Sequence, residues 1–154
     1  MKELSISMQK ICFRPVNCSN EKEVRKLKVK PEQVAFIESV DECLAEAEQY
    51  PEWRPVAIYW KEIIIGFAMY VSFGPNRDTL IDRILIDEDF QGKGLGKKAM
   101  SKLMEVVAEE YKVDRIYLSF VEENIRAAHL YRTLGFKSLN EKDPNGEFIY
   151  YYNV

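Results

Sequence analysis

The sequence predicts an α/β or α+β fold, in which helices cover the faces of one central sheet. β-rich runs and helical segments alternate through the second half of the chain, a pattern typical of such sheets. Hydrophobic residues make up 47% and charged residues 31%, the balance of a globular protein. The length of 154 residues predicts that residues 1–154 form a single domain. The predicted element order is β-α-α-β-β-β-α-β-α-β-β.

Two helices are predicted between the first strand and the second. Ile11–Val16 has the composition of a strand, and Ser19 or Asn20 is suited to cap the helix that follows. Pro31 fits the first turn of a second helix, and apolar residues then recur at helical spacing as far as Tyr50. We therefore expect one continuous helix from Pro31 to Tyr50.

The remaining elements follow from β-rich runs and turn residues. RPVAIYW and IIIGFAMYVSF are separated by Lys61 and Glu62, which predicts a hairpin. Gly74–Asp78 predicts a turn before the strand TLIDRILID. An amphipathic helix begins after the glycine run, and Gly135 ends a shorter helix, NIRAAHLYRTLG. RIYLSFV, FKSLN and EFIYYYNV predict the last three strands.

Composition excludes several classes of function. The net charge of −3 argues against a nucleic-acid-binding protein, which would usually be basic. The longest apolar run, Ile63 to Val71, is about half the length of a membrane helix, and the first residues lack the apolar core of a signal peptide. Cys12, Cys18 and Cys43 are an odd set without CxxC spacing, so neither a disulfide framework nor a zinc site is expected. We expect a cytoplasmic protein without a bound metal.

The stretch DEDFQGKGLGKKAM places three glycines directly before a helix. Two phosphate motifs fail there: the dinucleotide fingerprint GxGxxG has Lys97 in place of its third glycine, and the P-loop pattern fails at Gln91 and Lys98. A glycine turn leading into a helix N-terminus still favours a bound phosphate or pyrophosphate. The alternative is a solvated strand-to-helix turn.

Two motifs resemble those of the GNAT superfamily of N-acetyltransferases. Gln91-x-x-Gly94-x-Gly96 resembles the acyl-coenzyme A signature [QR]xxGx[GA], with glutamine where arginine is commoner. A later segment resembles the motif N-x-x-A-x-x-L-Y-x-x-x-G-F, through Asn124, Ala127, Leu130, Tyr131, Gly135 and Phe136. The resemblance covers residues 56 to 136 well.

The resemblance implies a mixed, mostly antiparallel sheet of six to seven strands with about four helices, splayed between the strands around Ile84 and Tyr117. It also implies acetyl-CoA as co-substrate, with its pantetheine arm in the gap. For Ile84–Ile86 the alternative is plain buried strand, and Asn124 could simply cap its helix. The implied coenzyme-binding residues are Ile84, Leu85, Ile86, Gln91, Gly92, Lys93, Gly94, Leu95, Gly96, Lys97, Asn124 and Ala127.

The resemblance further implies two catalytic residues. Tyr131 would be the general acid that protonates the departing thiolate, and the alternative is an amphipathic core tyrosine. Strand alternation predicts that Asp82 shares a face with Leu80, Ile84 and Ile86. Because a carboxylate there would be costly unless paired or functional, Asp82 is the candidate base or amine-binding residue. Its alternative is an ion pair with a nearby arginine.

The substrate prediction depends on the second predicted helix. Gln33, Phe36, Ile37 and Ser39 are similar to a run in bacterial spermidine/spermine N-acetyltransferases. That similarity implies acetyl transfer directly to a primary amine, such as that of a polyamine, and it also favours a homodimer. The alternatives are a protein N-terminus, a lysine or an aminoglycoside as acceptor, or a non-catalytic acetyl-CoA binding module. The candidate carboxylates for a cationic substrate are Glu38, Asp41 and Glu42, although acidic helix faces are usually just solvated.

Overall fold

Seven strands form one mixed sheet in the computed structural model, which describes residues 10–36 and 38–154. Their spatial order is β1-β2-β3-β4-β5-β7-β6, and all neighbours are antiparallel except β4 and β5. The predicted sheet of six to seven mostly antiparallel strands is therefore confirmed. The strands are β1 (Ile11–Pro15), β2 (Arg54–Trp60), β3 (Ile63–Phe73), β4 (Asp78–Ile86), β5 (Arg115–Phe120), β6 (Lys137–Lys142) and β7 (Phe148–Asn153).

Helices cover both faces of this sheet. Within the described ranges they are α1 (Glu21–Arg25), α2 (Val40–Gln49), α3 (Leu95–Tyr111) and α4 (Ile125–Thr133), with two 3-10 helices at Pro31–Phe36 and Glu88–Phe90. The apolar sides of α1 and α2 pack on one face, and those of α3 and α4 pack on the other. None of these helices combines the length and the apolarity needed to cross a membrane.

The prediction of one continuous helix from Pro31 to Tyr50 is wrong. The chain leaves the 3-10 helix after Phe36, and α2 starts anew at Val40. Ser39 caps α2: its hydroxyl accepts a hydrogen bond from the Glu42 N–H (3.1 Å), and the Glu42 carboxylate accepts one from the Ser39 N–H (3.4 Å). This capping box is a start signal that the apolar periodicity conceals. Ile37 lies outside the described residues.

The sheet opens between β4 and β5. Their pairing is confined to Leu80 opposite Tyr117, and the strands diverge beyond it, which confirms the predicted splay. On its other side β4 stays paired with β3 as far as Ile86. The backbone edge of β4 that faces β5 is therefore open from about the middle of the strand onward.

A β-bulge lies in β4 at Asp82. Met69 pairs with Arg83 and Tyr70 pairs with Ile81, so that Asp82 is the extra residue on its strand. The prediction that Asp82 shares a face with Ile84 is wrong, because the extra residue breaks the two-residue alternation. Ile81 and Ile84 contact the same cluster beneath α3, whereas the Asp82 carboxylate lies on the α2 side.

Gly66 of β3 holds that strand tightly against the end of β4. A Cβ at this position would lie 2.3 Å from the Leu85 carbonyl oxygen and 3.1 Å from Ile86 Cδ1. We expect Gly66→Ala to lower the free energy of unfolding by roughly 2–3 kcal/mol, because the backbone oxygen cannot move away without disturbing the ladder. Urea denaturation measures this. Gly74→Asn is the control, since Gly74 has open space around it and a left-handed φ that asparagine tolerates; equal midpoints for the two variants would contradict the close packing.

Candidate active site

A cleft of about 980 Å³ occupies the gap between β4 and β5. The 3-10 helix Pro31–Phe36, the glycine loop and α4 complete its walls. The fold thus brings together most of the site residues predicted from sequence. Those that line the cleft are Asp82, Ile84, Leu85, Ile86, Gln91, Gly92, Gly94, Gly96, Lys97, Asn124, Ala127 and Tyr131.

Lys93 and Leu95 are the predicted loop residues that do not line the cleft. The Leu95 side chain is buried in the core beneath α3, and the Lys93 ammonium lies 5.6 Å from the centre of the Phe90 ring. Leu95 can therefore contribute to the cleft only through its backbone, and the exposed Lys93 side chain lies outside the cleft lining.

The N-terminus of α3 presents bare backbone to the cleft. Gly92 and Gly94 have φ of +79° and +77°, values that glycine adopts without steric cost, and a Cβ at either would meet no atom within 4 Å. Among the residues that the structure describes, no side chain caps the helix at Gly94. Free N–H groups and the positive end of the helix dipole therefore favour an anion here, and the absence of side chains at the two glycines leaves the backbone accessible to it.

The open edge of β4 forms the next part of the cleft. Ile84, Leu85 and Ile86 pair with Ala68, Phe67 and Gly66 on one side only. Within the described residues no strand pairs with their other side. Backbone N–H and C=O groups at such an edge can bind an extended chain that carries amides.

Tyr131 projects from α4 into the cleft and is held by aromatic neighbours. Its ring centre lies 5.6 Å from that of Phe120 and 5.9 Å from that of Phe136. Burial raises the pKa of Tyr131 to about 12, and the nearby Arg83 guanidinium only partly opposes the shift. The phenol is therefore protonated at neutral pH and can act as a proton donor.

Asp82 lines the same cleft with a perturbed carboxyl group. Burial raises its pKa to about 6, and the Arg83 guanidinium opposes this. Its Oδ2 atom is buried and has no hydrogen-bond partner among the described residues. A carboxylate with a free oxygen and a pKa near neutrality is suited to accept a proton.

Glu38, Cys43 and Asp82 meet on the α2 side of the bulge, with one polar atom of each within 4.8 Å of the others. Burial raises the pKa of the Cys43 thiol to about 12, so the thiol is protonated. The Arg83 guanidinium lies 3.7 Å from the Glu38 carboxylate. Among the described residues Arg83 forms its ion pair with Glu38 rather than with Asp82. The Arg83 guanidinium therefore lowers the pKa of Asp82 too little to cancel the effect of burial.

The other acidic candidates point elsewhere. Asp41 forms an ion pair with Arg25, and Glu42 is engaged in the capping box of α2. Neither is among the residues that line the cleft. The cleft instead contains Glu32, Glu123 and Glu147, which sequence reasoning missed. They come from three distant segments, and no local pattern marks them.

Asn124 caps α4, because its Oδ1 accepts a hydrogen bond from the Ala127 N–H at 3.2 Å. The predicted capping role is confirmed. The residue also lines the cleft, and the cap fixes the orientation of its side chain there.

The chain is similar to named proteins over nearly its whole length. It is 41% identical over 145 residues to the spermine/spermidine N(1)-acetyltransferase of Bacillus subtilis strain 168, an alignment that covers 90% of this chain and 95% of that protein. An acetyltransferase from Thermus thermophilus has the same fold, with a TM-score of 0.75 and 22% identity over 96% of this chain and 99% of that one.

A second solved structure is the spermidine N-acetyltransferase from Vibrio cholerae in complex with CoA and spermine. Its TM-score is 0.73 at 17% identity, covering 93% of this chain and 95% of that one, so it shows a shared fold. Residues 22–136 match the model of the acetyltransferase (GNAT) family. That match, the shared fold and the 41% identity to the Bacillus subtilis relative show that the chain belongs to the acetyltransferase (GNAT) family.

Proposed function

We propose that the protein transfers the acetyl group of acetyl-CoA directly to a primary amine of a polyamine such as spermidine or spermine. One observation carries this proposal: a single cleft joins a bare helix N-terminus to a buried carboxylate and a protonated tyrosine. An anionic donor and a cationic acceptor could thus meet between Asp82 and Tyr131. The named Bacillus subtilis relative supports the choice of acceptor.

The donor side of the cleft fits coenzyme A. The backbone N–H groups of Gly92–Lys97 would hold the diphosphate, and the Lys97 ammonium would add positive charge. Gln91 and Ala127 would border the coenzyme. The open edge of Ile84–Ile86 would hydrogen-bond the pantetheine amides, and Asn124, which also lines the cleft, would border the coenzyme.

The reacting groups would move two protons. Bound acetyl-CoA supplies an acetyl thioester, whose carbonyl carbon the amine attacks as the carbon–sulfur bond breaks. Asp82 would accept the proton that the attacking amine must lose, directly or through water. Tyr131 would donate its proton to the sulfur that departs, because its phenol is protonated at neutral pH.

The acceptor side would recognise cations. Asp82 and Glu147 line the cleft, whereas Glu38 does not line it but lies beside Asp82. The Glu38 and Glu147 carboxylates each raise the pKa of Asp82, because they disfavour a further negative charge there. A long substrate with several ammonium groups relieves this repulsion, which a singly charged amine does less well. Asp41 and Glu42 are left out of the proposed amine site because α1 and the start of α2 engage them.

The test is a panel of amines with release of CoA as the signal. We expect turnover on spermidine and spermine, with kcat/KM at least about tenfold above that on a peptide N-terminus, a lysine peptide or an aminoglycoside. Activity confined to one of the other acceptors would overturn the polyamine assignment. Binding of acetyl-CoA without turnover on any amine would favour the non-catalytic binding module.

We further predict that the protein is a homodimer, that it is cytoplasmic, and that residues 1–154 form a single domain. Resemblance to the family supports the dimer. The three cysteines lie within the described residues and form no disulfide, which is compatible with a reducing compartment.

A further inference from the structure

The side chains of Gln33 and Gln91, which both line the cleft, form a reciprocal amide pair. Gln33 Nε2 donates to Gln91 Oε1 at 3.0 Å, and Gln91 Nε2 donates to Gln33 Oε1 at 2.9 Å. The two residues are 58 positions apart in the chain. A cyclic pair of hydrogen bonds constrains distance and orientation together.

Backbone groups fix which way each amide points. The Lys30 N–H donates to Gln33 Oε1 at 3.2 Å, and Gln91 Nε2 donates its second hydrogen to the Ile86 carbonyl at 2.8 Å. Reversing either amide would place like groups against each other at three contacts, the two bonds of the pair and the bond to the backbone. The pair is therefore a built contact between two backbone segments.

One of these segments has little else to hold it. The 3-10 helix Pro31–Phe36 has no buried residue. Among the described residues, its further attachments lie earlier in the chain: the Glu88 N–H donates to the Lys28 carbonyl at 2.7 Å, the Lys28 N–H donates to Asp87 Oδ2 at 3.0 Å, and Val29 packs against the core. Segments with few buried contacts are the ones that open most readily.

The two joined segments serve different halves of the cleft. The 3-10 helix supplies Glu32 and Phe36 to the wall, and the chain then continues to Glu38 beside Asp82. Gln91 belongs to the loop that leads into the N-terminus of α3. Because Gln91 is adjacent to Gly92, a ligand that orders the glycine loop also orders Gln91.

We propose that Gln33 is a positioning residue that couples the two substrates: through Gln91 it holds the amine-side wall against the loop that holds the coenzyme. This rests on the proposed function for the identity of the amine. When the coenzyme binds and orders the glycine loop, the amide pair also orders the 3-10 helix Pro31–Phe36, so that the amine meets a preformed site. The amide pair thus supplies the free energy that couples the binding of the two substrates.

The kinetic test compares Gln33→Leu with Gln49→Leu, a control at an exposed glutamine of α2. Gln33→Leu is expected to raise the KM for spermidine about tenfold, the value of one or two hydrogen bonds, with the Kd for acetyl-CoA within about twofold. Gln33→Glu should behave alike, and adding Gln91→Arg should bring KM back towards wild type, because arginine and glutamate reform a two-bond pair. Equal KM values for Gln33→Leu and the control would overturn the proposal, as would a failed rescue.

A binding experiment separates this inference from the proposed function. In wild-type protein, CoA is expected to slow amide hydrogen exchange about tenfold both at residues 92–97 and at residues 32–36. In Gln33→Leu the slowing at 92–97 should persist and that at 32–36 should be lost. Retained slowing at 32–36 overturns the coupling. If no amine is acetylated, the proposed function fails, and the exchange data still decide whether Gln33 links the two segments.

Discussion

Replacing Tyr131 by phenylalanine should lower kcat by about 10²- to 10⁴-fold, the range that a positioned acid or base contributes. Phenylalanine keeps the ring contacts with Phe120 and Phe136 but removes the proton that the departing sulfur would take. The Kd for acetyl-CoA should stay within about twofold of wild type, because the diphosphate would bind at the glycine loop. Steady-state kinetics with spermidine and direct titration with acetyl-CoA measure the two quantities.

The matched control is Tyr151→Phe, on β7 outside the residues that line the cleft. The centre of the Tyr151 ring lies 4.7 Å from Arg115 Cζ. The kcat of the Tyr151→Phe variant should equal that of wild type. A Tyr131→Phe variant that keeps a third or more of wild-type kcat would remove Tyr131 from the acid role. A parallel loss of coenzyme binding and thermal stability would instead make it a core tyrosine.

Replacing Asp82 by asparagine should lower activity and raise stability at the same time. At pH 7 we expect kcat/KM for spermidine to fall about 10²-fold or more, because the amide cannot accept the proton of the amine. In wild-type protein kcat/KM should rise with pH through an inflection near 6, where the Asp82 carboxyl loses its proton. The variant should lack that inflection, and its persistence would assign the base to another residue.

The stability gain follows from the direction of the pKa shift. Folding raises the pKa of Asp82 from 3.8 to about 6, so the folded protein prefers the neutral carboxyl. The stabilisation from this group is complete below about pH 4 and is lost as pH rises through about 6. At pH 7 asparagine should therefore raise the free energy of unfolding by on the order of 1–2 kcal/mol, allowing for the water that still reaches the group.

Urea denaturation at two pH values measures this gain, which should be present at pH 7 and absent at pH 4. Asp78→Asn, at an exposed carboxylate at the start of the same strand, is the control and should change neither activity nor stability. A variant that loses activity together with stability at pH 7 would mean that the charged Asp82 supports the fold.

Local signals in the sequence predicted much of this structure and failed at identifiable points. The hairpin at Lys61 and Glu62 and the cap at Asn124 depend on neighbouring residues, and both are present. Ser39 and Glu42 form a capping-box pattern that marks a helix start at Val40. The helical spacing of the apolar residues conceals this signal, because it continues across the break. The bulge at Asp82 has no such signal, because it arises from the pairing of β4 with β3.

The sequence by itself determined the bare helix N-terminus that forms the proposed donor side. A diphosphate site at a helix N-terminus needs exposed backbone and the first turn of a helix. The contiguous residues Gln91–Lys97 specify both features. Only the tertiary structure decided which residues meet at the proposed acceptor side. In the folded chain Asp82 lies beside Glu38, and Asp41 forms an ion pair with Arg25. Gln33 hydrogen-bonds Gln91, which lies 58 positions away in the chain. The reason is physical: the conformation of a turn depends on its own residues, whereas burial, charge neighbours and pKa depend on which distant segments pack together.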